Sequence, residues 1–228
     1  RPGGSGASPP GTQNASLHEL PAAVGEQSAS TAMAAHATNA TSTSARIAAN
    51  ERAAMLRKVQ AIVPAERMDN DPLSDRIQVS DPDLLGGEVT DVYRARRGDE
   101  PVAVILNPVA PNGYSGPIKL LVAVLEDGSL GGVRVLSHQE TPGLGDRIEE
   151  AKSGWVLGFS GRSLADPVED QWRVKRDGGA FDQFTGATIT PRSIVEAVRN
   201  TLLFVRQQGK ALYEQPAIAA APDGKGAS

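Results

Sequence analysis

The sequence of 228 residues contains no cysteine. Disulfides, thiolate zinc sites, iron–sulfur ligation and cysteine nucleophiles are therefore all excluded. The absence is compatible with an oxidising compartment but does not establish one. Aromatic residues are also scarce, at 4% of the chain, and no cluster of Lys and Arg alternates with them. Together with a formal net charge of -4, this composition argues against nucleic-acid binding.

Long hydrophobic runs are missing as well. The longest apolar stretch, Leu120 to Leu125, has the length of a buried strand and is far too short to span a membrane. The sequence begins at Arg1 and not at methionine, which suggests a fragment or a processed product, so its lack of a signal or anchor gives no information on compartment. The 39% of hydrophobic residues suffice for one domain with a proper core, or for two small ones.

Composition divides the chain into segments. Residues 1–44 are rich in Ala, Ser, Thr, Gly and Pro, carry few charges and show no periodicity, which predicts a disordered tail or linker. Residues 45–64 have apolar side chains at helical spacing until Pro64, and predict an amphipathic helix. That helix either packs on the domain or forms a stalk leading to a membrane anchor upstream. We expect the main domain over residues 65–214 and a flexible tail over residues 215–228.

Four candidate strands occupy residues 88–96, 102–108, 118–126 and 132–137. The last two are joined by Asp127-Gly128, a good hairpin signal. Short turns between neighbouring strands indicate antiparallel pairing, and no alternation of strands with helices is present. The sequence therefore predicts an α+β fold in which an antiparallel sheet packs against helices. A short helix over 147–152, a last strand over 171–175 and a final helix ending near Tyr213 complete the prediction.

The most informative stretch is Thr185-Gly186-Ala187-Thr188-Ile189-Thr190-Pro191, which precedes an apolar pattern typical of a helix. Pro191 suits the first helical position and Thr190 the N-cap, so neither requires a function. Thr188 is a second hydroxyl that capping does not need, and it follows the conformationally permissive Gly186. A small-residue loop with a hydroxyl at a helix N-terminus favours a phosphate, because the helix dipole and unpaired amides attract an anion. We therefore expect Thr188 to lie beside a phosphate or to carry one.

Two further loops stand out. The first, residues 111–117, joins two apolar strands and contains Tyr114; it is either a plain connection or part of a site. The second, residues 138–146, follows a strand. Its Gly143-Leu144-Gly145 lacks the third glycine of a dinucleotide fingerprint, so a Rossmann fold is not indicated. His138 and Glu140 in this loop have no further histidine nearby, which argues against a metal site.

Three stretches of the chain resemble one known family. The heptapeptide from Asp182 to Thr188 resembles the flavinylation motif of FMN-binding domains. Residues 137–146 and 113–118 resemble two other loops of the same domain in the RnfG family, which belongs to the ion-translocating Rnf electron transport complex. Residues 45–54 are similar to the segment that follows the membrane helix in that family. The resemblance extends over residues 45–213 and has its motifs in the right order.

The resemblance implies that residues 65–214 form an FMN-binding domain with FMN held covalently, its phosphate esterified to the hydroxyl of Thr188. The protein would be an electron carrier inside a ferredoxin:NAD oxidoreductase complex, without substrate turnover of its own. Its implied partners are the other Rnf subunits and, for maturation, a flavin transferase that uses FAD and a metal ion. The other cofactor-binding residues that the resemblance and the loop chemistry indicate are Thr185, Gly186, Ala187, Asp182, Glu140, Thr141, Gly143, Leu144 and Tyr114.

The resemblance also implies a location. Family members are attached to the bacterial inner membrane by an N-terminal helix that this chain does not contain, with the soluble domain on the periplasmic side. Two alternatives remain open. The related NqrC family of the sodium-pumping NADH:quinone reductase shares the flavinylation motif, and the chain could instead be a non-redox assembly module whose Thr188 segment is only a capped helix.

Overall fold

The computed structural model describes residues 27–218, with side chains from residue 43 onward. The chain divides into two compact units, residues 1–48 and residues 49–228. Helix α1 runs from Gln27 to Gln60 and so begins within the stretch predicted as a tail. The physical reason is that no glycine or proline lies between Gly25 and Pro64, while alanine, the best helix former, recurs throughout. The tail predictions for residues 1–26 and 219–228 concern segments outside the described residues.

The second unit is built on one antiparallel sheet that has six strands in the described part of the chain. They are β1 (Arg76–Val79), β2 (Thr90–Arg97), β3 (Glu100–Leu106), β4 (Val109–Ala110), β5 (Ile118–Leu125) and β6 (Leu130–Ser137). Strands β2, β3, β5 and β6 are the four predicted from the sequence, and Asp127-Gly128 turns the chain between β5 and β6. The prediction of an α+β fold with an antiparallel sheet packed against helices is confirmed.

Strands β3 and β4 act as one interrupted strand. Both pair with β5, β4 at its beginning and β3 at its end, with Leu106 opposite Val122 and Val109 opposite Lys119. Proline has no amide hydrogen to donate to a ladder, so the pairing breaks at Pro108. The first residues of β5 therefore have β4 on one side and the end of β6 on the other. This places the loop that follows β4 close to the loop that follows β6.

Helices α2 (Pro82–Leu85), α3 (Ile189–Gln208) and α4 (Ala211–Glu214) complete the regular structure. The final helix predicted to reach Tyr213 is thus divided in two, because Gly209 takes a positive φ of 53° after α3. Between β6 and α3 the chain forms short 3-10 turns, the first of them Gly145–Ile148.

Two predicted elements in this segment are wrong. A helix over 147–152 does not form, because the Arg147 carbonyl accepts a hydrogen bond from the Ser153 hydroxyl, 2.6 Å away, and is not used in a helical ladder. A strand over 171–175 does not form either. The glycines at 178 and 179 turn the chain back at once, so that only an isolated bridge joins Val174 to Phe181.

Side chains alternate along β5 and fill both faces of the sheet. Val122 and Val124 belong to the core that contains Leu202 of α3, whereas Ala123 belongs to a smaller core on the opposite face. The smaller core includes Ile62 just beyond the end of α1. The sheet is therefore covered by α3 and the 3-10 turns on one face and by the end of α1 on the other.

The end of α1 meets the beginning of β6. A Cβ atom on Gly131 would lie 2.6 Å from the carbonyl oxygen of Ile62, and one on Gly132 would lie 2.8 Å from its Cγ2. The two glycines therefore permit a close approach that larger residues would prevent. At its other end, β6 leads through Ser137 into the loop of residues 138–146.

A buried arginine ties the C-terminal segment to β2. Arg94 is 2% exposed, and its Nε donates to Asp75 Oδ1 at 2.9 Å. Its Nη1 donates to the carbonyl oxygens of Leu212 and Tyr213, both at 3.3 Å, and of Gln215 at 2.5 Å. The Arg94 charge is thus paired with a carboxylate that it shares with Arg96, and its Nη1 hydrogens are directed at three carbonyls, which reduces the cost of burying a cation.

None of the helices within residues 27–218 combines the length and apolarity needed to cross a bilayer.

Candidate functional site

A pocket of about 250 Å³ opens at the start of α3. Its walls come from the loop between β4 and β5, the loop after β6 and the turn that precedes α3. The lining residues are Tyr114, Glu140, Thr141, Leu144, Gly145, Gly186, Ala187, Thr188, Ile189 and Thr190. The three stretches that stand out in the sequence therefore meet in one place.

A tight turn carries Thr188 to the rim of the pocket. The amide of Ala187 donates to the carbonyl oxygen of Phe184 at 3.1 Å, and Gly186 between them has a φ of 81°. A positive φ at the third position of a turn is readily adopted only by glycine, which explains Gly186. Thr185 and Gly186 are exposed and Thr188 is half-buried, so the Thr188 side chain can be approached from solvent.

The turn is anchored on aromatic side chains. Phe184, 5% exposed, contacts Trp155 edge-on with ring centroids 5.3 Å apart. The Trp155 indole donates to the carbonyl oxygen of Asp182 at 2.8 Å, which holds the beginning of the motif as well. Behind them lie Phe159, Trp172 and Phe181 in mutual contact. Both tryptophans and three of the four phenylalanines of this aromatic-poor chain thus support one turn.

The N-terminus of α3 carries no capping side chain. The helix begins at Ile189 with Thr188 at the N-cap position, and no side chain bonds to its free amides. The prediction of Thr190 as the N-cap is wrong, because Thr190 is fully buried and its hydroxyl donates to the Glu140 carboxylate. Pro191 is the third residue of α3 and not the first, as predicted, but it still lies in the first turn, where its missing amide hydrogen costs nothing. The uncapped amides and the helix dipole suit an anion beside Thr188.

Glu140 is the hub of the pocket's hydrogen bonds. Its side chain is buried, at 4% exposure for the residue, and its Oε1 accepts from the Ser115 amide at 3.0 Å while Oε2 accepts from Thr190. The Glu140 amide donates to His138 Nδ1 at 3.0 Å, and His138 Nε2 lies 3.1 Å from Glu149 Oε1. Since Nδ1 accepts, the ring proton is on Nε2 and is donated to Glu149. The carboxylate is therefore fixed from two loops and from α3.

Two glycines leave space for this carboxylate. A Cβ atom on Gly145 would lie 2.8 Å from Glu140 Oε2 and 3.0 Å from Thr190 Oγ1. A Cβ atom on Gly113 would lie 2.8 Å from Glu140 Oε1. All three distances are shorter than van der Waals contact, so a larger residue at either position would displace Glu140 or Thr190, and at Gly113 it would also clash with the Gly116 carbonyl oxygen.

We expect Gly145→Ala to lower the free energy of unfolding by about 1–3 kcal/mol, the usual cost of overpacking a well-packed site. Thermal or chemical unfolding of the purified variant measures the loss. Gly154→Ala is the matched control, because a Cβ atom there meets nothing within 4 Å. Equal stability of the two variants would contradict the packing described for Gly145.

The structure brings most of the predicted cofactor-binding residues together, and leaves three outside the lining. Asp182 pairs with Lys175 at 2.6 Å on the surface, Thr185 is exposed in the turn, and Gly143 shapes the loop after β6 with a φ of 78°. Those that line the pocket are Tyr114, Glu140, Thr141, Leu144, Gly186, Ala187 and Thr188.

Three lining residues are not among those predicted from the sequence. They are Gly145, Ile189 and Thr190. The close spacing of the two glycines around Leu144 is a signal for Gly145. Capping alone accounts for Thr190 in the sequence, and nothing local indicates its bond to Glu140, fifty positions away.

Comparison with known proteins agrees with this geometry. Residues 113–203, which contain all three walls of the pocket, match the family of FMN-binding domains. Strands β5 and β6, the pocket and most of α3 therefore lie in the part of the chain that matches FMN-binding domains.

Relatives narrow the class further. The chain is 47% identical over 173 residues to the G subunit of the ion-translocating oxidoreductase complex of Shewanella loihica, covering 75% of this chain and 82% of that protein. It is 52% identical over 163 residues to the G subunit of Pseudomonas aeruginosa, with 71% and 76% covered. It is 43% identical over 175 residues to that of Vibrio cholerae, with 76% and 83% covered. The chain belongs to the family of G subunits of ion-translocating oxidoreductase complexes, which confirms the resemblance found in the sequence.

Proposed function

We propose that this chain is an electron-carrier subunit of an Rnf-type ion-translocating ferredoxin:NAD oxidoreductase, with FMN linked through its phosphate to Thr188. The observation that carries the proposal is the position of Thr188, half-buried at the rim of a pocket and at the uncapped N-terminus of α3. The family match and the G-subunit relatives support FMN as the cofactor and the other subunits of such a complex as partners.

The phosphate end of FMN fits the start of α3. Esterification to Thr188 would convert a phosphate monoester to a diester and reduce its charge to about -1, which a helix N-terminus stabilises by about 0.3–1 kcal/mol. No side chain caps the α3 amides, so they can donate to a phosphate. Capping of the helix and attachment of the cofactor thus use the same groups.

The flavin end fits the rim of the pocket. The volume of about 250 Å³ lies below the range of roughly 300–1,000 Å³ that encloses a drug-sized ligand, so a bound isoalloxazine ring would be only partly enclosed. Three large apolar side chains of the lining are exposed, Tyr114 by 67% and Leu144 and Ile189 by 43% each. A planar aromatic ring across them would cover apolar surface that otherwise faces water.

The attachment step requires a second protein. A threonine hydroxyl is a weak nucleophile without a general base, and the carboxylate of the lining, Glu140, is already engaged by Thr190 and Ser115. By family resemblance, we assign the step to a flavin transferase that uses FAD and a metal ion. The Thr188 oxygen bonds to the FMN phosphorus, the phosphoanhydride of FAD breaks, AMP leaves, and the transferase takes the hydroxyl proton. The small residues Gly186 and Ala187 leave room for that enzyme to approach.

When bound, the flavin supplies one-electron or two-electron transfer, and the chain binds it, orients it and shields it in part from water. A covalent bond suits a carrier that is repeatedly reduced and reoxidised, because the cofactor cannot dissociate between cycles. By family resemblance, we assign the domain to the periplasmic side of the bacterial inner membrane, with attachment through an N-terminal anchor of the parent protein.

Intact mass of the denatured protein tests this function. Protein from cells that contain the transferase should be heavier by FMN less one water, and peptide mapping should locate the increment at Thr188. In-gel fluorescence under ultraviolet light gives an independent reading. An unmodified mass from such cells would contradict covalent FMN and leave an assembly module as the alternative.

A further inference from the structure

We propose that the buried Glu140 carboxylate sets the redox potential of the flavin held in this pocket, and that Thr190 is the residue that positions it. The inference rests on the proposed function, since it needs a flavin at Thr188. It goes beyond that function because it assigns a role in tuning to one charge and names the group that holds the charge in place.

Glu140 is the one carboxylate among the ten lining residues, and no lining residue is a cation. Its burial keeps water from screening the charge, so its effect on neighbouring groups is larger than that of a surface carboxylate. Reduction adds electrons to a flavin. A fixed negative charge at the pocket opposes that addition, and therefore lowers the ratio of reduced to oxidised flavin at a given ambient potential.

The carboxylate cannot move away from the pocket. Ser115 and Thr190 donate to its two oxygens, and Gly113 and Gly145 lie so close that no Cβ atom would fit beside it. Thr190 is two residues beyond Thr188 in the chain, at the beginning of the same helix. Its hydroxyl therefore fixes the distance between the carboxylate and the residue to which the flavin phosphate is attached.

Glu140→Gln in the flavinylated chain tests the role of the charge. Glutamine keeps both contacts, because its carbonyl can accept from the Ser115 amide and its amide can donate to Thr190 Oγ1. In a spectroelectrochemical titration at pH 7, we expect the ratio of reduced to oxidised flavin to rise about tenfold, which is about 30 mV for a two-electron couple. Glu196→Gln is the matched control, since Glu196 is an exposed carboxylate on α3 that lies outside the pocket lining. Its ratio should stay within about twofold of the unsubstituted chain, because solvent screens an exposed charge.

The outcomes separate the two proposals. Absence of the FMN increment from the unsubstituted chain refutes covalent attachment itself, whereas a flavinylated Glu140→Gln variant with an unchanged ratio refutes only the tuning role. Should Glu140→Gln yield no flavinylated protein, Thr190→Val decides. Thr190→Val removes the hydroxyl that donates to Glu140 and leaves the negative charge of the carboxylate. Because that charge is then less neutralised, the ratio of reduced to oxidised flavin should fall at least about twofold. Thr190→Ser should restore the ratio. A ratio in Thr190→Val that is equal to or above that of the unsubstituted chain overturns the inference.

Discussion

Thr188→Val is expected to abolish covalent flavin and leave the fold intact. Valine has nearly the shape of threonine but no hydroxyl, so there is no oxygen to bond to phosphorus. The side chain of Thr188 makes no capping bond to α3, so we expect the free energy of unfolding to change by no more than about 0.5 kcal/mol. The measurement is the intact mass of protein co-expressed with the transferase, together with a thermal unfolding curve.

Thr185→Val is the appropriate control for this experiment. Thr185 offers an exposed hydroxyl in the same turn, three positions before Thr188, and is not part of the pocket lining. We expect it to keep the full mass increment. Thr190→Val would be the natural control from the sequence alone, but its hydroxyl is bonded to Glu140, so we expect a loss of about 1 kcal/mol in stability. An increment retained by Thr188→Val would transfer the attachment to another residue.

Arg94→Met is expected to lower the free energy of unfolding by about 3 kcal/mol, because breaking a buried and hydrogen-bonded ion pair leaves its partners desolvated. Asp75 would keep only Arg96 as an ion-pair partner, and the carbonyls of Leu212 and Gln215 would lose their donor. For a domain of this size, the melting temperature should fall by roughly 10 °C. Differential scanning calorimetry of the two proteins gives both values.

Arg76→Met provides the comparison on the neighbouring strand β1. Arg76 approaches Asp91 at 3.5 Å, with 35% and 27% of the two side chains exposed. Partly exposed pairs of this kind contribute about 0–1 kcal/mol, so the substitution should have little effect. If both variants lost the same stability, the contacts of Arg94 with the C-terminal segment would not be the cause.

Local patterns in the sequence are sufficient for much of the sheet. The apolar run from Leu120 to Leu125 and the hairpin signal Asp127-Gly128 predict β5, β6 and their antiparallel pairing, because hairpin formation depends on neighbouring residues. The segment from Arg147 to Phe181 is not predictable in this way. Its conformation depends on side-chain bonds such as that from Ser153 to Arg147 and on glycine turns, which leave no periodicity.

The site is predictable in its parts but not in its assembly. Thr188 is indicated by a hydroxyl that capping does not need, whereas the convergence of the three loops is expected only through the family resemblance. The contact of Thr190 with Glu140 joins distant parts of the chain, as does that of Arg94 with Leu212. Such contacts are made by tertiary folding, and no spacing rule within a helix or strand anticipates them.

Strand β6 fixes how far the pocket lies from the end of α1. Gly131 and Gly132, at one end of the strand, touch Ile62, and Ser137 at the other end leads into the loop of the pocket. Eight residues of extended chain measure roughly 20–25 Å. The strand is paired with β5 along its length, so this spacing cannot contract. A redox partner would have to approach a cofactor in the pocket at the Ser137 end of β6. A partner that contacted the domain only at Ile62 would be too far from the pocket to exchange electrons with that cofactor.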